Sequence, residues 1–451
     1  VIEAAPERLE LKRGLFAALA EIVSDECVLA TNTSSLLVTA LATAAVHPQR
    51  VVGMHFFNPP PLMALLEVVA GVDSGERALA VARAAGVAMG KHVIDAVDGP
   101  GFLVNRCNRP FGLEALALLS DRIATIEQID RICRLGGGFR MGPVERMDLG
   151  GVDVGLDVAR SFYEQSFGEP RWRPSPITTR TVAAGRTGRK AGRGYYKYPD
   201  SGPHRPADPD PPAVGGGDGL IVIAGESPLA LQVADAAIDA GWEVATPAEA
   251  ADDGGEQGGR VPFLILEVDG DGDENGVPAQ GGPRAVCCAT GSLAALDPGG
   301  SSVGWHALAP FGDCRLVELT RGPDSAASAA AAAERFFATL GRHTEWVGDA
   351  PGLVLGRIVY QLVNEAAFAL GEGVGSARDI DAGMRLGLNY PRGVLEWADE
   401  IGLHHVLAAL DGLSLDRGAG RYRPAPSLRS LCLSGRLGRE TGEGFLDHPQ
   451  R

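Results

Sequence analysis

The chain repeats itself at a separation of 251 residues. Gly53-Met54-His55 is followed, twelve residues after the histidine, by Glu67; Gly304-Trp305-His306 is followed at the same distance by Glu318. The same separation joins Gly90 to Gly341, Pro100 to Pro351, Glu114 to Glu365, Asp130 to Asp381, Gly142 to Gly393 and Asp148 to Asp399. A repeat of this length restricts the fold to two copies of one unit, each large enough to bury a core of its own. The copies are not chemically equal, and only the first looks intact.

Each copy changes its hydrophobic period part of the way along. In the first, residues 7–23, 36–45 and 75–89 show helical spacing, and short apolar strands lie at 28–31, 50–56, 65–70 and 93–97. Strands alternating with helices predict a mostly parallel, doubly wound α/β sheet. From Pro100 the strand signals stop, and helices fit 101–120, 126–135, 151–166 and 174–185. The expected division is 1–98 α/β, 99–198 all-helical, a Pro-, Asp- and Gly-rich linker at 199–219, 220–349 α/β and 350–451 all-helical. Gly- and Asp-rich loops interrupt the second α/β unit at 250–260 and 268–283.

A net charge of -16 argues against nucleic acid or an anionic membrane surface as the main partner. The seven cysteines are scattered without a C-x-x-C, which predicts reduced thiols in a cytoplasmic protein and no metal framework. No apolar run is long enough to span a bilayer, and no signal peptide is evident. Val1-Ile2-Glu3-Ala4 reads like the tail of a buried strand, so a fragment lacking its first strand–helix unit is expected.

Three segments of the first copy point to chemistry. His55 ends a strand, where open α/β sheets place their ligands. If the strand carrying Glu67 is its neighbour, the carboxylate fixes the imidazole tautomer and stabilises the protonated ring, which is what a general base needs. Alone, the pair reads more simply as a core histidine and an exposed glutamate. Asn32-Thr33-Ser34-Ser35 follows a strand and opens a helix, where hydroxyls and backbone N–H groups converge, with Ser34 or Ser35 as the expected N-cap. Asn105 lies just inside the first helix after Pro100, where a buried amide needs a partner such as a ligand.

Together these segments resemble the L-3-hydroxyacyl-CoA dehydrogenases, including 3-hydroxybutyryl-CoA dehydrogenases. The stretches that carry the resemblance are VIEAAPERLELKRGLF, TNTSSL, GMHFFNPPPLMALLEVV, DGPGFLVNR, GGGFRMGPVERMDLGGVD and GRKAGRGYYKY, colinear over residues 1–198. The resemblance implies a Rossmann-like NAD-binding domain, present in part, and a helical domain of the 6-phosphogluconate-dehydrogenase C-terminal type, both duplicated. It implies an acyl-CoA substrate, NAD as cofactor with NADP left open, and dimer contacts through the helical domains, either as a homodimer or as a pseudo-dimer within one chain. By residue, it implies that His55 is the general base and Glu67 its orienting partner. Ser34 and Asn105 hold the substrate's 3-oxygen, and Asn58 lies by the nicotinamide or the reacting acyl group. Glu7, Lys12, Asn32, Ser34 and Lys190 fall at cofactor positions. Glu7 and Lys12 read equally as ordinary helix charges.

The departures from the family lie in the nucleotide bed. No G-x-G-x-x-G occurs anywhere in the chain. In the second copy the corresponding turn is Gly225-Glu226-Ser227-Pro228, where Ser227 replaces a glycine and Glu226 adds repulsion. Ala248 falls where a ribose-binding acid is expected, Gly291 at the position of Ser34, Ala309 at Asn58 and Gly356 at Asn105. This copy reads as a degenerate structural partner that still keeps His306 and Glu318. Two other functions stay open at this point: a hydroxy-acid dehydrogenase that does not use CoA, and a non-catalytic acyl-CoA-binding or assembly protein.

Overall fold

The computed structural model describes residues 1–252, 261–269 and 281–449, so most of the two Gly- and Asp-rich loops lies outside the described residues. Among these residues the first sheet has five strands in the order β1-β2-β3-β4-β5: β1 Ile2–Glu3, β2 Leu29–Thr31, β3 Val51–Phe56, β4 Leu65–Ala70 and β5 His92–Val97. All neighbours run parallel except β3 and β4. The second sheet has seven: β6 Leu220–Ala224, β7 Glu243–Ala245, β8 Leu264–Glu267, β9 Arg284–Cys287, β10 Val303–His306, β11 Leu316–Arg321 and β12 His343–Trp346. Its order is β12-β11-β10-β9-β8-β6-β7, and again one pair, β10 and β11, is antiparallel. It repeats the first sheet and adds β6 and β7 beyond the strand equivalent to β1.

The period of two along a strand decides what faces what. Val52, Met54, Leu66 and Val68 meet Ala78, Leu79 and Ala82 of the helix Glu76–Ala88. Val51, Leu65 and Val69 face the opposite way, into a cluster shared with Phe102, Leu103 and Val104 at the start of the helical region. His55 and Glu67 fall on this second face by parity. That placement sets them between sheet and helices.

The helical regions dock reciprocally. Helix Leu355–Gly371 is buried on every side from Leu355 to Ala369, as a helix at the centre of a bundle must be, and it packs on Arg109–Ser120. Helix Ala377–Leu388, from the second copy, lies over β4 and β5 of the first; helix Ile126–Leu135, from the first copy, lies over β11 of the second. Close approach needs a missing side chain at Gly387, where a Cβ would stand 2.7 Å from Leu65 Cδ2. Buried ion pairs cross the contact in a two-fold pattern: Arg106 Nε to Glu365 Oε1 at 2.9 Å, and Arg357 Nε to Glu114 Oε2 at 3.1 Å.

The motif glycines and aspartates explain themselves locally. Asp130 accepts hydrogen bonds from Val144 N (2.8 Å) and Glu145 N (2.9 Å), capping helix Pro143–Gly150, which the hydrophobic pattern did not reveal. Asp381 does the same for Leu395 N and Glu396 N, both at 2.9 Å. A Cβ at Gly142 would fall on the Asp130 carboxylate. Gly142→Ala should therefore lower stability by about 1–3 kcal/mol through overpacking. Gly14→Ala, in the exposed middle of helix Leu9–Ile22 with nothing within 4 Å, should raise it by up to about 1 kcal/mol. Denaturant midpoints moving in opposite directions would check both. The segment 199–219 forms no regular element, but His204 and Arg205 bind Glu145, and Asp208 binds Arg134, so it is anchored to the helices.

Candidate active site

His55 and Glu67 are cross-strand partners, directly opposite in the β3–β4 register. His55 Nδ1 lies 2.5 Å from Glu67 Oε2. The other carboxylate oxygen accepts hydrogen bonds from Val104 N (2.9 Å) and Leu103 N (3.2 Å). Glu67 is fully buried and His55 nearly so. One carboxylate thus ties the histidine to the first backbone donors of the helical region. The Phe57 and Phe102 rings flank the imidazole at 4.6 and 5.8 Å. Nε2 makes no hydrogen bond to a described residue, and the ring lines a cleft of about 750 Å³.

Ser34, Asn58 and Asn105 line the same cleft. Asn32 stands behind it: its Oδ1 accepts from Phe56 N at 2.9 Å and pins the end of β2 to the end of β3. Glu7 reaches the Ser34 turn, where its Oε1 accepts from Thr33 Oγ1 (2.5 Å), Ser34 N, Ser35 N and Ser35 Oγ (each 3.0 Å). Burial pushes this carboxyl up, but those hydrogen bonds and Lys12 outweigh it and hold its pKa below the ordinary value. Lys12 is not the exposed helix charge that was one reading of it. It is 1% exposed and bonds Glu3 at 2.9 and 3.0 Å, with Glu7 at 3.5 Å. Lys190 pairs with Asp153 at 2.7 Å and is not part of the cleft wall.

Several local readings are corrected. Neither Ser34 nor Ser35 caps the helix that follows. That helix is only Val38–Ala42, and its first donors, Val38 N and Thr39 N, go to the Asp98 carboxylate at 3.1 and 2.8 Å. Since Thr31 pairs with Gly53 and Val286 with Gly304, the register matches Ser34 to Ala289, not to Gly291. Ala248 lies inside helix Pro247–Asp252, so the residue that follows β7 is Thr246. The cleft also has a wall that no single copy could reveal: Gly387, Leu388, Asn389 and Tyr390 come from the second copy. Tyr390 donates to Asn108 Oδ1 at 2.7 Å, and Arg146 donates to the Leu388 carbonyl at 3.3 Å.

The second copy keeps the scaffold but not the geometry. Glu318 still accepts from Val354 N (2.7 Å) and Leu355 N (3.0 Å), yet His306 Nδ1 stands 3.7 Å from its carboxylate and has no hydrogen-bond partner. The ring is fully buried, and Nε2 meets Tyr360 Oη at 3.2 Å. A Cβ on Gly356 would strike that ring, so the loss of an asparagine there and the sealing of the histidine are one change. At the nucleotide turn, the Asp269 carboxylate accepts from Glu226 N (2.6 Å) and Ser227 N (2.9 Å). An anion of the chain's own sits where backbone donors would hold a pyrophosphate.

An α/β sheet that delivers a carboxylate-braced imidazole to a cleft roofed by helices is the architecture of a two-domain dehydrogenase. The description "3-hydroxyacyl-CoA dehydrogenase, NAD binding domain" matches residues 1–99, and "3-hydroxyacyl-CoA dehydrogenase, C-terminal domain" matches 101–198 and again 352–448. The chain belongs to the 3-hydroxyacyl-CoA dehydrogenase family. It is 33% identical to the 3-hydroxyadipyl-CoA dehydrogenase of Escherichia coli (strain K12) over 433 residues, 96% of this chain and 80% of that one. It is 40% identical over 198 residues to a probable 3-hydroxybutyryl-CoA dehydrogenase of Deinococcus radiodurans, covering 44% of this chain and 71% of the relative. The crystal structure of a 3-hydroxybutyryl-CoA dehydrogenase from E. coli K12 superposes with a TM-score of 0.73 at 31% identity, covering 96% of this chain and 82% of that one. NAD as the cofactor agrees with the matched domain. Among the described residues, no helix is long and apolar enough to cross a membrane, and no cluster of side chains could hold a metal ion.

Proposed function

We propose that the first copy, residues 1–98 with 99–198, oxidises the 3-hydroxyl of a short 3-hydroxyacyl-CoA, and that 220–349 with 350–451 serves as its structural partner. The observation that carries this reading is the chain of contacts from the helix start through Glu67 to His55 and into the cleft. Glu67 accepts a hydrogen bond from Nδ1–H, which leaves Nε2 with a lone pair facing the cleft. Nε2 removes the 3-hydroxyl proton, and the carboxylate stabilises the imidazolium that forms. Ser34 and Asn105 hold the 3-oxygen, and Phe57 and Phe102 keep water from the ring. NAD supplies the hydride acceptor for C3 when bound. Its nicotinamide end would be held by Glu7, Ser34 and Asn58 at the cleft, with Asn32 fixing the turn. Lys12 acts there as a positioning residue through Glu7, and nothing in its surroundings gives Lys190 more than its surface pair. An acyl-CoA substrate is supported by the family, whose members named above act on 3-hydroxybutyryl and 3-hydroxyadipyl thioesters. The pseudo-dimer within one chain is supported by the reciprocal ion pairs and by the wall that the second copy adds to the cleft. A cytoplasmic location is supported by seven free cysteines, five of them buried.

Reduction of acetoacetyl-CoA by NADH, compared with free acetoacetate, tests the reading: turnover of the thioester alone is expected. Glu67→Gln keeps the shape but loses the charge that steadies the imidazolium. It should lower kcat by about 10²-fold or more, leave KM near the parent value and shift the pH profile of kcat. A variant with the parent's turnover and pH profile would remove Glu67 from the mechanism.

A further inference from the structure

Beside the cleft lies a chamber of about 230 Å³ among the helices of the first copy. Asn105, Phe111, Arg146 and Gly150 line both spaces, so the two adjoin at the proposed reacting centre. The chamber is otherwise largely apolar, with Leu116 and Leu156 in its wall, and it contains Arg109. Arg109 Nε and Nη1 are buried without a hydrogen-bond partner. Its guanidinium makes no ion pair with a described residue and rests only on the Phe162 ring, 5.0 Å from the centroid. Burial, with the nearby charge of Arg146, pushes its pKa down to about 10, which still leaves it charged near neutrality. Arg146 is also held below its ordinary value by burial, and it donates to the Leu388 carbonyl at 3.3 Å.

Among the described residues five other arginines are buried, and each has a carboxylate beside it, the loosest being Arg50 with Asp25 at 3.9 Å. Arg106, Arg134, Arg171 and Arg357 each lie against one or more carboxylates. No aspartate or glutamate lines either the chamber or the cleft. A buried guanidinium N–H without a partner is disfavoured, so the two unpaired nitrogens of Arg109, with half-buried Arg146 beside them, point to an anion brought by the ligand. Asn105 lies in the short helix Val104–Cys107, and Arg109 opens the next helix, Arg109–Ser120, after a break at Asn108. Both residues line the one chamber, so an anion received by Arg109 would share it with the acyl chain held at Asn105.

We propose that this chamber is a subsite for a terminal carboxylate on the acyl chain, received by Arg109 with Arg146 as the second charge, so that the substrate class is a CoA thioester of a 3-hydroxy dicarboxylic acid. The proposal rests on the dehydrogenase reading and names its substrate. An Arg–carboxylate contact is charge-assisted and can be bidentate, and a site built for it discriminates against the neutral analogue.

Binding of adipyl-CoA and hexanoyl-CoA to the full chain, measured by calorimetry, tests this without turnover, since the two ligands share CoA and chain length and differ in the terminal carboxylate. Adipyl-CoA should bind at least about tenfold more tightly, and Arg109→Leu should bring the ratio toward one. Equal binding by the parent chain overturns the subsite, whatever the variant does. A loss of affinity for both thioesters in Arg109→Leu, with the ratio unchanged, would assign the arginine to a CoA phosphate and overturn it as well. If the parent binds neither thioester and does not turn over acetoacetyl-CoA, the dehydrogenase reading falls too; equal binding with turnover intact removes the carboxylate subsite alone.

Discussion

Replacing His55 by glutamine should lower kcat for acetoacetyl-CoA reduction by about 10³–10⁴-fold, at the upper end of what a general acid–base contributes. Glutamine can occupy the site and keep a hydrogen bond toward Glu67, but it cannot take or return a proton. KM should change little, because the thioester is held by the cleft and not by the imidazole. His306→Gln supplies the matched control. His306 has the same place in the repeat, but it is sealed, 3.7 Å from its glutamate, with Tyr360 on its other nitrogen. Its replacement should leave turnover within about twofold, since the changed group touches nothing that reacts. Steady-state rates of both variants, with circular dichroism to confirm folding, decide the matter. A folded His55→Gln enzyme retaining a tenth of the parent rate would end the proton-transfer role.

The contrast between the two histidines shows what a sequence can and cannot carry. The repeat, the strand–helix alternation and the His–Glu spacing were all legible, because they depend on period and order alone. The spacing of twelve fits a β-turn-β return in which the two residues face each other, and the register His55↔Glu67 does so. The second copy has the same spacing and the same register, His306↔Glu318, yet its imidazole and carboxylate do not meet. Rotamer and packing decided that, through Gly356 and Tyr360. Long-range partners were hidden for the same reason. Lys12 lies in a helix whose pattern leaves it exposed, but Glu3 on β1 and Glu7 draw it inside. Asp98 takes the capping work of Ser34 and Ser35 from sixty residues away. The stretch from β2 to β3 is about four residues longer than that from β9 to β10, so the repeat separation changes there and hides Ser34's counterpart. Nothing in a linear pattern singles out Arg109, because order and period do not reveal that no carboxylate lines its chamber.

The reciprocal dock of the two copies should be the most vulnerable point in the fold's stability, and Glu365→Ala is expected to expose it. Glu365 is almost fully buried, and it binds Arg106 Nε at 2.9 Å and Arg171 Nη1 at 2.6 Å. Burial raises its pKa, while Arg171 and Arg106 pull it back down. Removing it strands two guanidinium groups that cannot reach bulk water. Each keeps a second acid, Glu372 for Arg106 and Glu169 for Arg171, so the loss should be about 3 kcal/mol, the lower end for a broken buried pair. Glu114→Ala, at the two-fold-related place, releases Arg357, which retains Asp121 at 2.9 Å and Tyr422 Oη at 2.7 Å, and the more exposed Arg421, which retains the Arg173 carbonyl at 3.1 Å, and should cost less. The triple replacement Arg106→Met, Glu365→Leu, Arg171→Met removes the charges together and should recover most of the stability lost in Glu365→Ala. Denaturant midpoints in this order, Glu365→Ala lowest, then Glu114→Ala, with the triple variant nearest the parent, would locate the cost in the uncompensated charge and not in lost contact area. The same loosening should reach the cleft, because Tyr390 and Leu388 hold their places in its wall through Asn108 and Arg146 of the other copy. A rise in KM for the thioester at temperatures below unfolding is therefore expected in Glu365→Ala. An unchanged midpoint would mean that the two halves do not depend on this ion pair, and the pseudo-dimer would lose its energetic basis.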